Sequence, residues 1–274
     1  METSNITRRR ITEYLLEGKR FDSRKLLEYR NIEIESPVSN KAEGSAFVRI
    51  GKTEVAAGVK LGVSEPYTDS EDLGTLVTTV ELSPLASERF ELGPPKIEAI
   101  ELARVVDRGI RESGFIDFNK LCIKSGEKVW TVFVDIYPLN DDGNLIDASS
   151  LAAVAALQNA VMPKYNEKTE RVEFGKWTSK KLPLTEHMPL TLTLHKISRS
   201  IILDPCREEE DAQETRVSFA ISPKGKDCMI NAMQKGNESA LTQDEISKMI
   251  DTAVEEWKKI YPAIAEKIKK VTAR

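Results

Sequence analysis

The stretch VWTVFVDIYPLNDDGNLIDASSLAAVAAL, residues 129–157, holds the pattern that decides the fold. Its opening part, 129–137, is dense in β-branched and aromatic residues and predicts a buried strand. Pro138 and the sequence NDDGN predict that a turn ends this strand. The alanine-rich part from 145 to 161 predicts a buried helix, because small residues let a helix pack closely against a sheet.

Upstream of this stretch, the chain alternates between helical and strand patterns. Ser4 or Asn5 caps a predicted helix over 4–17, and Gly18 ends it. Isoleucine alternation at 32 and 34, glycine punctuation over 44–63 and a third run at 74–84 predict a strand, a hairpin and another strand. The sequence GPPK then predicts the start of a helix, because proline suits a first turn.

Downstream, a polar stretch at 163–183 is predicted to connect two halves of the chain. Four more strand patterns follow between 190 and 236, and a long amphipathic helix is predicted from about 242. Thr242 and Glu245 form a capping box at its start, and Pro262 predicts a kink or interruption. The fold class is therefore α+β, with mixed sheets covered by helices. We divide the chain into an N-terminal helix and arm (1–30), a first half (31–165) and a second half (166–274).

The composition narrows the class of protein. A net charge of -4 over 274 residues argues against broad coating of nucleic acid but leaves room for a local basic site. The three cysteines form no CxxC pair, which predicts neither a zinc cluster nor a disulfide framework and favours a cytoplasmic location. No apolar run approaches the ~20 residues of a membrane span, so we expect no membrane partner. His187 and His195 are expected to be structural.

A row of arginines is the first candidate site. In a helix covering IELARVVDRGIRESG (100–114), Arg104, Arg108 and Arg111 share one stripe. Guanidinium groups suit phosphate oxygens, so the stripe is a candidate phosphate-binding surface. The alternative is pairing within the helix, from Asp107 to Arg111 and from Glu101 to Arg104 or Arg108. Spacing alone does not decide between the two.

Two further segments are weaker candidates. The turn in DDGNLIDASS (141–150) precedes a helix and could cradle an anion, but apolar residues follow its glycine and favour an ordinary turn. In the acidic run LDPCREEEDAQE (203–214), Asp204, Glu209 and Glu210 could hold a divalent cation. A solvated loop surface is the simpler interpretation of such a run.

Several motifs, in this order along the chain, resemble the RNase PH-like family. GKRFDSRKLLEYRNIEI (18–34), IELARVVDRGIRES, the stretch 129–157 and IILDPCREEE (201–210) resemble successive motifs of that family. The first of them carries the family's spacing at Gly18, Arg20, Asp22, Arg24 and Arg30. The resemblance covers nearly the whole chain and is strongest to the non-catalytic RNase PH-like subunits of the archaeal exosome core.

The resemblance implies a fold, a reaction and partners. It implies two S5-like halves of β-α-β-β type and a ring in which three such subunits alternate with three catalytic RNase PH-like subunits, a trimer of dimers. It implies cap proteins that bind RNA, single-stranded RNA in the channel, and phosphorolysis from the 3′ end by the catalytic partner. It also implies that Arg104 and Arg108 hold RNA phosphates at the interface with that partner, with Arg111 as a third, less available contact.

The chain departs from the catalytic members of the family where they bind phosphate. Asn144, Leu145 and Ile146 replace a Gly-Ser/Thr-Arg-like loop, and the sequence GPPK (93–96) replaces paired arginines. The acidic segment keeps Asp204, but Glu210 stands where active relatives have a second aspartate. Because positioning and electrostatics supply most of phosphoryl-transfer catalysis, we expect an inactive paralogue that needs no cofactor or metal.

Two alternatives stay open. The chain could itself be a phosphate-dependent 3′-to-5′ exoribonuclease that uses Asp204 and Glu210 with Mg²⁺. A more remote alternative is a metal-binding or scaffolding protein with no role in RNA binding.

Overall fold

The larger of two main sheets is built around the strand predicted from 129–137. In the computed structural model, which describes residues 3–272, this strand pairs with its neighbours in the order β1-β2-β3-β6-β4, and β5 pairs with β6. β4 runs parallel to β6 and the other pairs are antiparallel. The strands are β1 (Ile32–Glu35), β2 (Gly44–Ile50), β3 (Thr53–Ser64), β4 (Thr75–Val80), β5 (Cys122–Lys124) and β6 (Lys128–Asn140).

The second main sheet has four antiparallel strands in the order β10-β9-β11-β12. Its central strands β9 and β11 are almost wholly buried, so they carry few of the exposed polar residues that an edge strand has. The four strands are β9 (Leu190–Ile197), β10 (Ser200–Leu203), β11 (Thr215–Lys224) and β12 (Asp227–Gly236).

Two helices lie between the sheets. Helix α2 (Ile97–Ser113) links the parallel strands β4 and β6, a connection that needs a crossover, and contacts both β4 and the second sheet. Helix α3 (Leu145–Asn159) packs on β2 and β3 and on β9. Its burial confirms the prediction from the alanine-rich sequence, since only its last two residues and Leu145 retain partial exposure.

The C-terminal helix α5 (Gln243–Thr272) packs on the second sheet, α3 and β1. The predicted capping box is confirmed, because the Thr242 and Glu245 side chains each accept from the other's backbone N–H. Of the two outcomes predicted at Pro262, a kink or an interruption, the interruption is wrong, since the helix continues through this residue. Pro262 is exposed, and buried Trp257 and Ile264 anchor the helix on both sides of it, which offsets the missing backbone hydrogen bond.

The predicted polar connection at 163–183 is a β-hairpin. Strands β7 (Val161–Asn166) and β8 (Arg171–Lys181) pair with each other and with neither main sheet. Valine and aromatic residues favour strands here despite the many charges. The Asn166 side chain accepts from the backbone N–H groups of Lys168 and Thr169 and so closes the turn.

At the N-terminus, α1 (Asn5–Leu16) is capped by Ser4 as predicted, and Gly18 follows its end with a left-handed φ of 74°. It packs on the short helix α4 (Arg207–Ala212), with Ile11 and Leu15 buried against Ile197 and Ile202. The five α-helices and two main sheets within residues 3–272 confirm the α+β class.

Candidate functional site

The three arginines of α2 differ in their surroundings, although all three are exposed. Arg111 pairs with Asp107 at 3.0 Å and donates to the Leu76 carbonyl at 2.9 Å, which confirms the predicted i,i+4 pair. Arg108 makes one long hydrogen bond, 3.5 Å, to Gln234 of β12. Arg104 makes no hydrogen bond or ion pair with the described residues 3–272. Two guanidinium groups are therefore available to a ligand.

The predicted pairing of Glu101 with Arg104 or Arg108 is wrong. Glu101 instead pairs at 2.9 Å with Arg216 of β11, whose side chain is only 10 % exposed. Glu101 pairs with Arg216 rather than with an arginine of its own helix, because Arg216 is buried and an unpaired buried charge costs more free energy than a solvated one. This pair fixes α2 on the second sheet and removes the acid that would compete for Arg104 and Arg108.

A groove of about 410 Å³ runs beside Arg104 and Arg108 between α2 and β4. Threonine hydroxyls and apolar side chains line it, and Asp107 is its only acid among the lining residues, which are Thr78, Thr79, Val80, Pro95, Ala99, Ile100, Ala103, Arg104, Asp107 and Arg108. Because Asp107 is already engaged by Arg111, the rim of the groove carries net positive charge. Such a surface suits a phosphate-bearing chain.

The turn after β6 is closed against the acidic segment. Gly143 adopts a φ of 86°, and a Cβ there would lie 2.6 Å from the Pro205 carbonyl oxygen and 2.8 Å from the Arg207 nitrogen. Only glycine meets both demands. Ser149 and Ser150 are buried inside α3 rather than presented to a ligand. The turn and the backbone of 205–207 thus fill each other's space, as expected for a structural turn.

Asp204 is the centre of a buried ion-pair cluster, not a solvated residue. Arg30 holds it at 2.7 Å, Arg24 at 3.0 Å, and the Asn144 amide donates to it at 2.9 Å. The Asp204 side chain is wholly buried. Burial by itself favours the neutral carboxyl, but hydrogen bonds and charge from Arg30 hold the pKa of Asp204 below its ordinary value.

Two further acids of the segment, Glu209 and Glu210, also pair with arginines. Glu209 forms a buried, two-pronged ion pair with Arg20, with Nε at 2.9 Å from Oε1. Glu210 lies 3.2 Å from Arg207, and burial raises the pKa of Glu210 to about 7. Residues 207–212 form helix α4, in which Glu209 pairs with Arg20 of the N-terminal arm and Glu210 pairs with Arg207 of α4 itself. The interpretation of this run as a solvated loop is therefore wrong for these acids, whereas Glu208 is exposed.

The cation-site alternative finds no support in the cluster. Asp204 and Glu209 already accept from arginines on their available oxygens, and Mg²⁺ prefers carboxylates free to turn toward it. Within the described residues, no group of three or more histidines, cysteines, aspartates or glutamates could hold a metal ion. The cluster instead ties the arm that carries Arg20, Arg24 and Arg30 to the second half of the chain.

His195 lies beside this cluster and gives a pH prediction. It is 1 % exposed, its Nδ1 lies 2.6 Å from Gln213, and burial lowers its pKa to about 4. The unfolded chain therefore binds a proton that the folded chain rejects between pH 6.5 and 4. We expect the free energy of unfolding to fall by about 3 kcal/mol as the pH drops through this window.

Urea unfolding of the native chain and of His195→Asn at several pH values tests this prediction. The difference between the two chains should change with pH below 6.5, while the partly exposed His187→Asn control should follow the native chain. A constant difference between native and His195→Asn chains would show that His195 is not held neutral.

Two groups of functional residues escaped the pattern analysis of the sequence. Arg20, Arg24 and Arg30 were known only as part of a family spacing, and their buried carboxylate partners lie more than 170 residues away along the chain. Gln234, which reaches Arg108, sits on an edge strand with no recognisable motif. Pairing across such distances carries no local sequence signal.

Comparison of the chain with known protein families identifies one family that matches both of its halves. Residues 28–163 match the model described as "3' exoribonuclease family, domain 1" and residues 187–256 match domain 2 of the same family. The chain belongs to the RNase PH-like 3′ exoribonuclease family. No helix within residues 3–272 of this family member is long and apolar enough to cross a membrane.

Archaeal proteins are among the similar members of the RNase PH-like family. The exosome complex component Rrp42 of Methanosarcina acetivorans is 46 % identical over 242 residues, covering 88 % of this chain and 86 % of the relative. The Thermococcus gammatolerans protein of the same name is 44 % identical, covering 97 % and 96 %. The structure of the Archaeoglobus fulgidus exosome with RNA bound to the active site contains a chain with a TM-score of 0.82 and 40 % identity, covering 94 % of this chain and 98 % of its own length. An archaeal exosome core gives 0.80 at 37 % identity, covering 95 % and 97 %.

Proposed function

We propose that this chain is a non-catalytic subunit of an archaeal exosome ring, which binds RNA and completes the active site of a catalytic RNase PH-like neighbour. Relatives named as exosome components match it over most of their length. The observation that carries the proposal is the combination of two exposed arginines on α2, which form no ion pair within residues 3–272, with a phosphate-loop position that is closed and followed by apolar residues.

The absence of chemistry follows from what occupies the turn. Leu145 and Ile146 supply neither charge nor a hydroxyl, and the backbone of 205–207 packs against Gly143. Asp204, Glu209 and Glu210 each pair with an arginine, so they are poor ligands for a catalytic Mg²⁺. With neither a phosphate site nor a metal site among residues 3–272, this part of the chain lacks the groups that position and stabilise a phosphoryl-transfer transition state.

The role in RNA binding rests on α2. Arg104 and Arg108 border a groove and lack internal ion-pair partners among the described residues, so binding RNA phosphates there breaks no existing pair. Backbone phosphate contacts hold a strand without reading its sequence. The chain would thereby keep RNA in register beside the neighbour's catalytic groups. The proposed assembly is a ring of six alternating subunits that carries RNA-binding cap proteins.

An assay of the isolated chain tests the catalytic part of the proposal. Incubated with poly(A), inorganic phosphate and Mg²⁺, the chain alone should release no nucleoside diphosphate. Activity should appear when a catalytic RNase PH-like subunit is added and the two co-elute in size-exclusion chromatography. Diphosphate release by the purified chain alone would instead establish it as a phosphate-dependent exoribonuclease.

A further inference from the structure

We propose that the β7–β8 hairpin is an accessory site for single-stranded RNA, separate from the arginine face of α2. The site consists of two exposed aromatic side chains, Phe174 and Trp177, and the unpaired cations Lys168, Arg171, Lys180 and Lys181. It goes beyond the proposed function, because neither RNA threading past α2 nor activation of a neighbour requires it.

The charge of the hairpin is opposite to that of the chain. Residues 161–181 contain six lysines or arginines and three glutamates, a net charge of +3 within a chain of -4. Two glutamates are already used, Glu170 by Lys128 of β6 and Glu173 by Lys176 and Lys164. The four remaining cations make no ion pair with any residue in the described range 3–272, and all four are exposed. The hairpin therefore presents uncompensated positive charge to solvent.

The aromatic residues sit at a bulge of β8. Pro163 pairs with Trp177 while the next residue, Lys164, pairs with Glu173, so three residues of β8 have no partner on β7. Gly175 in this bulge has a φ of 77°. Phe174 lies in the bulge and is 66 % exposed, and Trp177 beside it is 43 % exposed. Bulges re-aim side chains and concentrate at functional places in sheets.

These two rings do not contribute to a core. The other two tryptophans, Trp130 and Trp257, are 8 % and 5 % exposed, as expected for side chains that stabilise the fold. Phe174 contacts a cation instead, with Lys60 Nζ 5.2 Å from the ring centroid. An exposed aromatic pair on a basic hairpin is the combination that binds single strands, because bases stack on the rings while lysines neutralise phosphates.

The occupant follows from charge and shape together. A duplex hides its bases inside the stack and offers nothing for the rings to stack on, and an acidic polypeptide offers no planar base. Single-stranded RNA satisfies both the cations and the aromatic residues.

Tryptophan fluorescence gives a direct test on the full chain. Trp177 is the exposed one of three tryptophans, so stacking of a base on it should quench emission as single-stranded oligo(U) is added. Affinity measured with labelled oligo(U) should fall roughly 10-fold in Trp177→Ala and be retained largely in Trp177→Phe. The double variant Lys180→Glu/Lys181→Glu should bind more weakly and show a shallower salt dependence, by about two units of slope.

Matched controls separate this site from the one on α2. Lys248→Glu/Lys269→Glu makes the same charge change on exposed positions of α5 and should leave the quenching intact. Arg104→Glu/Arg108→Glu should also leave it intact, so a failure of the exosome proposal would not remove the signal. Equal quenching by duplex RNA, equal quenching by polyglutamate, or unchanged affinity in Trp177→Ala would each overturn the hairpin proposal.

Discussion

The Asp204→Asn variant is expected to lose about 3–5 kcal/mol of unfolding free energy at neutral pH. Asn keeps the size of the side chain and tolerates the left-handed backbone that Asp204 adopts, with φ at 46°. The variant therefore keeps the shape of the side chain but removes the negative charge and replaces one accepting oxygen by an N–H donor that faces other donors. It leaves Arg24 and Arg30 without their shared buried carboxylate, so that only the more exposed Asp22 and Asp142 remain paired with them. A buried charge that loses its partner is the costly case.

Urea denaturation of the native and variant chains measures this loss, with the midpoint and the slope reported separately. Asp22→Asn is the matched control, because Asp22 pairs with the same Arg24 but its side chain is 40 % exposed. The control should lose less than about 1 kcal/mol. Addition of Mg²⁺ should stabilise neither chain. A loss below about 1 kcal/mol in Asp204→Asn, or stabilisation of the native chain by Mg²⁺, would contradict a structural role and favour a metal site.

The fold was largely predictable because its strongest patterns are local and repeated. The apolar run at 129–137 is rich in β-branched and aromatic residues and is followed by a turn, and the segment after it is long and alanine-rich. These local features predict a buried strand and a buried helix, and both elements are observed. The hairpin at 161–181 was missed because its charges hide strand-forming residues in a composition typical of a connection. The continuity of α5 through Pro262 depends on packing on both sides of the proline, which no local pattern records.

Sequence spacing identified the arginine stripe of α2, but it did not show which of these guanidinium groups are available to a ligand. Spacing places Glu101 near Arg104 and Arg108 on the helix surface, and only the structure shows that Arg216 takes Glu101 away. The prediction of a solvated loop for the acidic run was wrong for the same reason, since its partners Arg20, Arg24 and Arg30 are remote in sequence. A charged residue's role is set by the partner it finds in three dimensions, and sequence spacing reports only the partners on its own element.

The double variant Arg104→Glu/Arg108→Glu is expected to weaken RNA binding by the assembled complex roughly 100-fold or more. A hydrogen bond to a charged group contributes about 1.5–3 kcal/mol, so each lost phosphate contact costs roughly 10-fold or more in affinity. Neither arginine has an ion pair within the described residues, so the fold loses little when both are replaced. Poly(A) phosphorolysis by the complex at low RNA concentration should fall with the affinity.

The controls test whether the complex still assembles, whether net charge alone weakens binding, and whether Arg111 contributes less than Arg104 and Arg108. Elution of the variant complex should match that of the native complex, which would show that the complex still forms. Lys248→Glu/Lys269→Glu on α5 carries the same change of net charge and should leave RNA affinity unchanged.

Arg111→Ala should weaken binding much less than either single change at Arg104 or Arg108, because Asp107 and the Leu76 carbonyl already hold Arg111. The salt dependence of binding should also drop by about two units of slope in the double variant. If the Arg104→Glu/Arg108→Glu complex binds RNA with native affinity, α2 does not contact the RNA, and the chain has only an architectural role in the complex.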